Sequence, residues 1–122
     1  MKKVGVIGLG DMGSGLAKNS LKAGFPVSGF DLSEHCLASF REGGGSPRTS
    51  AREVGENSDA VFVMVLNGNQ AKSAIFGDEG LVKGMKPGGV IILSATIKPS
   101  EAREIGEALE GTGLDMIDTP VS

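Results

Sequence analysis

The sequence contains no tryptophan, no tyrosine, one cysteine and one histidine. Cys36 has no second cysteine for an internal disulfide, which fits a reducing compartment and favours a cytoplasmic protein. His35 has no other histidine to join it in a metal site, so we expect a solvated residue on a helix. These scarcities leave no candidate metal centre in the sequence.

Long apolar runs and a surplus of basic residues are also missing. The longest apolar run, residues 60–66, has seven residues, whereas a membrane-spanning helix needs about 20. Lys2 and Lys3 precede only a short apolar stretch interrupted by glycines, which differs from a signal peptide. The chain has 12 Lys and Arg against 15 Asp and Glu, a net charge of −3. We therefore expect neither a membrane nor a nucleic-acid partner.

Glycine, by contrast, is abundant, at 20 of 122 residues. Residues 8–13 form a Gly-x-Gly-x-x-Gly motif between an apolar strand at residues 3–7 and a helical pattern at residues 11–23. A second strand at residues 25–30 leads to Asp31, eighteen residues after the last glycine of the motif. This order of strand, glycine turn, helix, strand and acidic residue is typical of dinucleotide binding.

Each part of this motif has a physical role in holding a dinucleotide. Gly8 permits a tight turn, Gly10 lets the backbone approach a pyrophosphate, and Gly13 allows close packing of the helix on the strand. The helix N-terminus offers unpaired N–H groups and a partial positive charge to the pyrophosphate. Asp31 would accept hydrogen bonds from the adenosine ribose and repel a 2′-phosphate, and no arginine follows it. We therefore predict NAD(H) rather than NADP(H).

Strands and helices alternate along the rest of the chain. This pattern predicts an α/β fold, a Rossmann-type doubly wound parallel sheet with strand order 3-2-1-4-5-6. The β-branched run at residues 60–66 indicates a strand covered on both faces. In the last helix, Ala102, Ile105, Ala108 and Leu109 are spaced to face the core. The predicted strands are residues 3–7, 25–30, 46–48, 60–66, 90–93 and 114–117, and the predicted helices are residues 11–23, 34–41, 50–57, 70–76 and 99–110, with a turn at residues 81–85.

The carboxyl ends of the strands are the expected ligand site, as in other open parallel sheets. A dinucleotide there would place its adenosine by Asp31, its pyrophosphate at residues 10–12 and its second nucleoside near Leu66, Asn67 and Thr96. Asn67 and Thr96 have a second interpretation, because Asn and Thr are also common in ordinary turns. The predicted cofactor-binding residues are Gly8, Leu9, Gly10, Asp11, Met12, Gly13, Asp31, Leu32, Val65, Leu66, Asn67 and Thr96.

Three stretches of the chain match the motifs of one known family, in the same order. Residues 6–17 (VIGLGDMGSGLA) match a G-L-G-x-M-G-x-x-M/L-A opening, residues 94–99 (SATIKP) an S-x-T-x-x-P stretch, and residues 118–122 (DTPVS) the start of a D-x-P-V-S-G-G segment. Together they resemble the β-hydroxyacid dehydrogenases, whose members include 3-hydroxyisobutyrate dehydrogenase. Residues 65–69 lack the proline that many members carry after the leucine, which favours the threonate or tartronate semialdehyde type.

The resemblance implies an oxidoreductase that transfers hydride between a small 3-hydroxy acid and a nicotinamide cofactor. It places Ser122 at the substrate carboxylate and assigns cofactor contacts to the glycine motif, Asp31, Leu66 and Thr96. The family's catalytic lysine lies in a later motif, and Lys98 belongs to a different one. The helical second domain that closes the family's substrate cleft and forms most of its dimer interface also follows these motifs.

We therefore expect residues 1–122 to form the cofactor domain of a longer, homo-oligomeric enzyme. Without the acid–base residue, which typically contributes about 10²–10⁴-fold to rate, the chain alone should have no turnover. Three alternatives remain open: a non-catalytic NAD-binding module, the N-terminal domain of an imine reductase, or a Rossmann domain for FAD or S-adenosylmethionine. Residues 118–122 argue against the last of these.

Overall fold

Six parallel strands form one sheet with the order β3-β2-β1-β4-β5-β6. The computed structural model describes residues 3–65, 67–94 and 97–118, and at Asp11, Met12 and Asp118 the backbone alone. Three predicted site residues, Leu66, Thr96 and Ser122, lie outside the described residues. The strands are β1 (Val4–Ile7), β2 (Val27–Phe30), β3 (Ser46–Pro47), β4 (Ala60–Val63), β5 (Val90–Leu93) and β6 (Asp115–Asp118). The helices are α1 (Asp11–Lys22), α2 (Glu34–Glu42), α3 (Ala51–Glu56), α4 (Gly68–Phe76), α5 (Leu81–Gly84) and α6 (Pro99–Ala108).

The sheet topology confirms the predicted fold class and strand order. Strand β1 lies at the centre, where Val6 is paired with Gly29 of β2 on one side and Phe62 of β4 on the other. The chain therefore moves outward from β1 through β2 to β3, and then returns to the other side of β1 at β4. A ligand site is expected where the strand order reverses in this way, between the carboxyl ends of β1 and β4.

Most element boundaries differ from the predictions by one to three residues, and the differences at β4 and α4 have a structural cause. Strand β4 ends at Val63 rather than at residue 66, because the apolar run continues past the ladder into the wall of a cavity described below. Helix α4 begins at Gly68, two residues before its predicted start, because Asn67 caps it. Residues predicted as a turn form the short helix α5.

One face of the sheet carries the larger part of the core. Val61, Val63, Ile91 and Leu93 are fully buried there, against α3, α4, α5 and α6. Helix α6 contributes Ala102 and Ile105, and its C-cap contributes Leu109, as predicted, whereas Ala108 is exposed and its predicted core position is wrong. Ala108 lies at the edge of the helical stripe that the other three define, on the side that faces water.

The opposite face of the sheet is covered over only part of its width. Helices α1 and α2 pack there around Val6, Val27 and Phe40. Phe62, which shares this face with Val6, is only half-buried, and Ile117, in register with Ile92 of β5, is 52% exposed. The expectation that β4 is covered on both faces therefore holds in full for one face only. The cause is that α1 and α2 lie over β1 and β2 and do not extend across β5 and β6.

The described helices are too short to cross a bilayer. The longest, α1, has 12 residues, and no helix in the described ranges combines sufficient length with sufficient apolar character.

Candidate cofactor site

The glycine motif forms a tight turn at the carboxyl end of β1. Gly8 has φ +93°, a left-handed conformation that favours glycine, and a Cβ there would overlap the carbonyl oxygen of Met64. A Cβ on Gly13 would overlap the carbonyl oxygen of Gly8. These contacts explain why the turn needs glycine at both positions: the first lets the chain reverse beside β4, and the second lets α1 pack against the turn.

Gly10 differs from the other two glycines, because it faces open space. Among the described atoms outside its two chain neighbours, none lies within 4 Å of a Cβ built on this residue, and its φ of −70° is open to any amino acid. The missing side chain is therefore unexplained by packing or by backbone strain. It leaves room for a ligand to approach the backbone at the start of α1. Gly10 is also the N-cap of α1 and supplies no side-chain hydrogen bond to the first turn.

Asp31 lies beside this turn, as predicted. Its Oδ2 accepts a hydrogen bond from the backbone N–H of Leu9 at 2.7 Å, and its Oδ1 accepts one from the backbone N–H of Ser33 at 2.8 Å. The carboxylate thus joins the glycine turn to the start of α2. Leu9 itself directs its side chain into the core, where it is 3% exposed. Any contact of Leu9 with a cofactor must therefore come from its backbone.

A cavity of about 680 Å³ opens at this edge of the sheet. This volume is in the range of pockets that hold small molecules and cofactors, about 300–1,000 Å³. The cavity brings together five of the predicted cofactor residues, namely Gly8, Gly10, Asp31, Leu32 and Val65. Leu32, which is 91% exposed, offers an apolar surface beside the Asp31 carboxylate. The other lining residues are Ile7, Phe30, Thr49, Ser50, Ala51, Met64, Gln70, Ser73, Ala74, Gly77, Asp78 and Glu79.

Sequence reasoning missed the far wall of the cavity. Thr49 and Ser50 follow β3, and Gln70, Ser73 and Ala74 lie on α4. The position of Thr49 directly beyond a strand end was a usable signal, since strand exits gather at this edge. The residues of α4 gave no such signal, because only the packing of that helix decides which of its sides faces the cavity.

Asn67 has a structural role at this edge. Its Oδ1 accepts a hydrogen bond from the backbone N–H of Gln70 at 2.9 Å, which caps α4. Asn67 does not line the cavity in which five other predicted residues meet. A cofactor contact from its side-chain amide stays a prediction. Gly13 lies behind the turn, and the side chains of Asp11 and Met12 lie outside the described structure.

One basic residue near the site is hydrogen-bonded to the neighbouring strand. Arg48 follows β3, the neighbour of β2, and its Nε donates a hydrogen bond to the buried Ser28 Oγ at 3.1 Å. Ser28 lies in the middle of β2, below the edge at which Asp31 stands. The Nε of Arg48 therefore contacts β2 at Ser28, three residues before Asp31.

An ion pair outside the cavity lining joins helix α4 to helix α6. Lys72 of α4 and Glu104 of α6 are 2.8 Å apart at their charged atoms. The hydrogen bond and the charge of Glu104 raise the pKa of Lys72, and the same contact lowers the pKa of Glu104. Both side chains are exposed, so this pair orients α4 and α6 with a small effect on stability.

The comparisons with known proteins agree with this geometry. A family model described as the NAD binding domain of 6-phosphogluconate dehydrogenase matches residues 3–122. L-threonate dehydrogenase of Cupriavidus necator is 42% identical over 121 residues, which are 99% of this chain and 41% of that protein. NAD-dependent L-serine dehydrogenase of Pseudomonas aeruginosa is 36% identical over 122 residues, or 100% of this chain and 41% of that protein.

The solved structures give the same result. A crystal structure described as 3-hydroxyisobutyrate dehydrogenase from Salmonella typhimurium superposes with a TM-score of 0.92 and 37% identity. The match covers 100% of this chain and 42% of that one. The chain therefore spans about two fifths of the length of the relatives it matches. With the family model accounting for residues 3–122, the chain belongs to the NAD-binding domains of the 6-phosphogluconate dehydrogenase family, and its relatives are hydroxyacid dehydrogenases.

Proposed function

We propose that this chain is the cofactor domain of an NAD-dependent 3-hydroxyacid dehydrogenase and that it holds NAD(H) along the carboxyl edge of its sheet. The observation that carries the proposal is the pairing of the open backbone at Gly10 with the Asp31 carboxylate on one cavity. The start of α1 at Gly10 suits a pyrophosphate, and the Asp31 carboxylate suits the hydroxyl groups of a ribose. Together they match an adenosine diphosphate group.

The residues of the chain would hold the cofactor in distinct ways. The N–H groups of the first turn of α1 would face the pyrophosphate, since Gly10 supplies no side chain to occupy them. Asp31 would accept hydrogen bonds from the adenosine ribose. Leu32 and Val65 would flank the adenine and keep water from it. The bound nicotinamide would supply the hydride chemistry, which these residues only position.

The carboxylate also supports a preference for NAD(H) over NADP(H). A 2′-phosphate beside Asp31 would meet a like charge, and no arginine directly follows Asp31 in the sequence. The name of the Pseudomonas aeruginosa relative is consistent with the same preference.

We propose further that catalysis needs the remainder of a longer protein. The chain matches about two fifths of its relatives, and the sheet face with Phe62 and Ile117 is not fully covered. A second, helical domain would supply the acid–base residue, close the substrate cleft and carry a homo-oligomer interface. Ser122 would contact the substrate carboxylate in that complete protein.

The substrate we propose is a small 3-hydroxy acid of the threonate type. Support comes from residues 65–69 and from the 42% identity with an L-threonate dehydrogenase. Relatives that act on serine or 3-hydroxyisobutyrate by name share the same domain at 36% identity. The choice therefore depends on assays of the complete protein with L-threonate, L-serine and 3-hydroxyisobutyrate compared by kcat/KM.

A calorimetric titration of the 122-residue chain tests the cofactor assignment. We expect NADH to bind and NADPH to bind about tenfold more weakly, on the order of 1.4 kcal/mol, because the 2′-phosphate and the half-buried Asp31 carboxylate carry like charges. FAD and S-adenosylmethionine serve as controls for other Rossmann ligands. Tighter binding of either control, or equal binding of NADPH, would contradict the assignment. Turnover of a 3-hydroxy acid by this chain alone would contradict the proposed division of labour.

A further inference from the structure

We infer that Asp31 is also a positioning residue for the glycine turn, so that one carboxylate prepares both the ribose site and the pyrophosphate site. The inference rests on the proposed function, since it concerns the diphosphate that the turn would receive. Its basis is the pair of hydrogen bonds that Asp31 makes to the backbone of two separate segments.

The two hydrogen bonds are short and charge-assisted. The Leu9 N–H lies 2.7 Å from Oδ2, and the Ser33 N–H lies 2.8 Å from Oδ1. Hydrogen bonds of this length to an ionised group are roughly twice as strong as neutral ones. Because Leu9 stands between Gly8 and Gly10, its N–H sets the orientation of the peptide in the middle of the turn.

The turn needs such an anchor because two of its three residues are glycine. Glycine loses more conformational freedom on ordering than any other residue. The Gly8 N–H bonds to the carbonyl of Phe30 at 2.9 Å, and the Leu9 side chain is buried. The Asp31 carboxylate adds a contact to the residue that precedes Gly10, where a phosphate would approach.

One carboxylate has the capacity for both tasks. An ionised Asp accepts hydrogen bonds at about four lone-pair positions. The two backbone N–H groups use one on each oxygen, so each oxygen retains one for a ribose hydroxyl. The arriving ribose therefore need not displace the anchor of the turn, and the acceptors are oriented before it binds.

The variant Asp31→Asn distinguishes the loss of a backbone anchor from the loss of negative charge. An asparagine amide has one oxygen and one NH₂ group, so one backbone N–H must face a donor whichever way the amide turns. The variant keeps the size of the side chain and loses one anchor. Neutralising Asp31 alone would strengthen the binding of an anion by removing a like charge, whereas loosening the turn would weaken it.

The test compares Asp31→Asn with Asp59→Asn in the 122-residue chain. Asp59 makes the same kind of bond, Oδ2 accepting the Lys3 N–H at 2.8 Å, at the opposite end of the sheet. Amide hydrogen exchange is measured by NMR without nucleotide, and calorimetry measures the affinities for NADH, ADP and inorganic pyrophosphate. Circular dichroism and urea unfolding check that both variants fold.

For Asp31→Asn we expect exchange to rise about tenfold or more at Leu9, the fold-change typical of losing a hydrogen bond to a charged group. It should also rise at Gly8, whose own bond to Phe30 the substitution leaves intact. Pyrophosphate should bind several-fold more weakly, and Asp59→Asn should change none of these. Unchanged exchange at Gly8, or unchanged or tighter pyrophosphate binding, would overturn the inference even if ADP affinity falls. Absence of NADH and ADP binding to the unsubstituted chain would instead overturn the proposed function.

Discussion

Helix α1 begins without a side-chain cap, whereas α2, α3 and α4 each begin with one. All four helices follow the carboxyl end of a strand, so they start at the same edge of the sheet. Ser33, Ser50 and Asn67 each accept a hydrogen bond from the backbone N–H three residues later, at 3.3, 3.2 and 2.9 Å. At the same place α1 has Gly10, which accepts nothing through a side chain.

The presence or absence of a side-chain cap distinguishes the helix starts that add stability from the one that is suited to a ligand. A side-chain cap contributes about 1 kcal/mol and satisfies a backbone donor that would otherwise need water. The three capped helices are stabilised in this way, and one backbone N–H in the first turn of each is bonded to the cap. Helix α1 has no N-cap side chain over its first donors, which makes it the one of the four whose N-cap leaves room for an anion.

The largest effect on NADH affinity should come from adding a methyl group at Gly10, the uncapped start of α1. Gly10→Ala places a Cβ in the open space and disturbs no described packed atom, so the free energy of unfolding should fall only by the N-cap preference for glycine over alanine, about 1 kcal/mol. NADH affinity should fall by about tenfold or more, because the methyl group occupies the approach of the pyrophosphate. Calorimetry with NADH measures the affinity.

Gly15→Ala is the matched control for this variant. Gly15 lies in α1, also has no atom within 4 Å of a built Cβ, and stands more than a turn away from Gly10. Its substitution should leave NADH affinity unchanged and raise helix stability by up to about 1 kcal/mol. Equal NADH affinities in the Gly10 and Gly15 variants would contradict a pyrophosphate site at the start of α1.

An intermediate effect should come from the capped start of α4. Asn67→Ala removes the cap and should lower the free energy of unfolding by about 1 kcal/mol. Asn67→Asp keeps a good capping oxygen and loses the amide N–H groups. We expect it to retain stability and to weaken NADH binding roughly threefold, in line with a modest hydrogen-bond loss. Urea unfolding and NADH titration measure the two properties.

The pair of variants decides what Asn67 does. Ser33→Ala, which removes the cap of α2 and lies outside the cavity lining, is the control for the loss of a cap alone. If Asn67→Asp binds NADH as well as the unsubstituted chain, Asn67 is a cap and makes no contact with the cofactor.

The smallest effect should come from the ion pair that joins α4 to α6. Contact with Glu104 raises the pKa of Lys72 above its ordinary value of 10.5, and contact with Lys72 lowers the pKa of Glu104 below 4.5. The pair therefore stabilises the fold between about pH 4.5 and 10.5. Its contribution is lost as pH falls through the folded pKa of Glu104 or rises through that of Lys72.

Thermal unfolding across pH tests this pair. The difference in Tm between the unsubstituted chain and Lys72→Met should be small, constant within the window, and reduced outside it and in high salt. Lys18→Met, at an exposed lysine of α1, provides the control. A Tm difference that persists at low pH would mean that Lys72 acts through packing of its aliphatic chain and not through charge.

Local chemistry carried much of the prediction. Gly8 and Gly13 occupy positions where any Cβ would overlap a carbonyl oxygen, so their spacing alone identifies the turn. Asp31 stands at the end of β2, and the alternation of strands and helices was sufficient for the strand order. The far wall of the cavity was beyond such reasoning, because Thr49 and Gln70 meet Asp31 only when β3 and α4 are packed on the sheet.

The sequence by itself determined the parallel sheet, the glycine turn and the acidic residue beside it. These features depend on periodicity, on glycine conformation and on short spacings along one segment. Tertiary structure decided that Leu9 is buried, that Arg48 is bound to Ser28, and that Asp31 holds the backbone at Leu9 and Ser33. The hydrogen bonds from Leu9 to Asp31 and from Arg48 to Ser28 join residues 22 and 20 positions apart, so only the packing of strands and helices could select them.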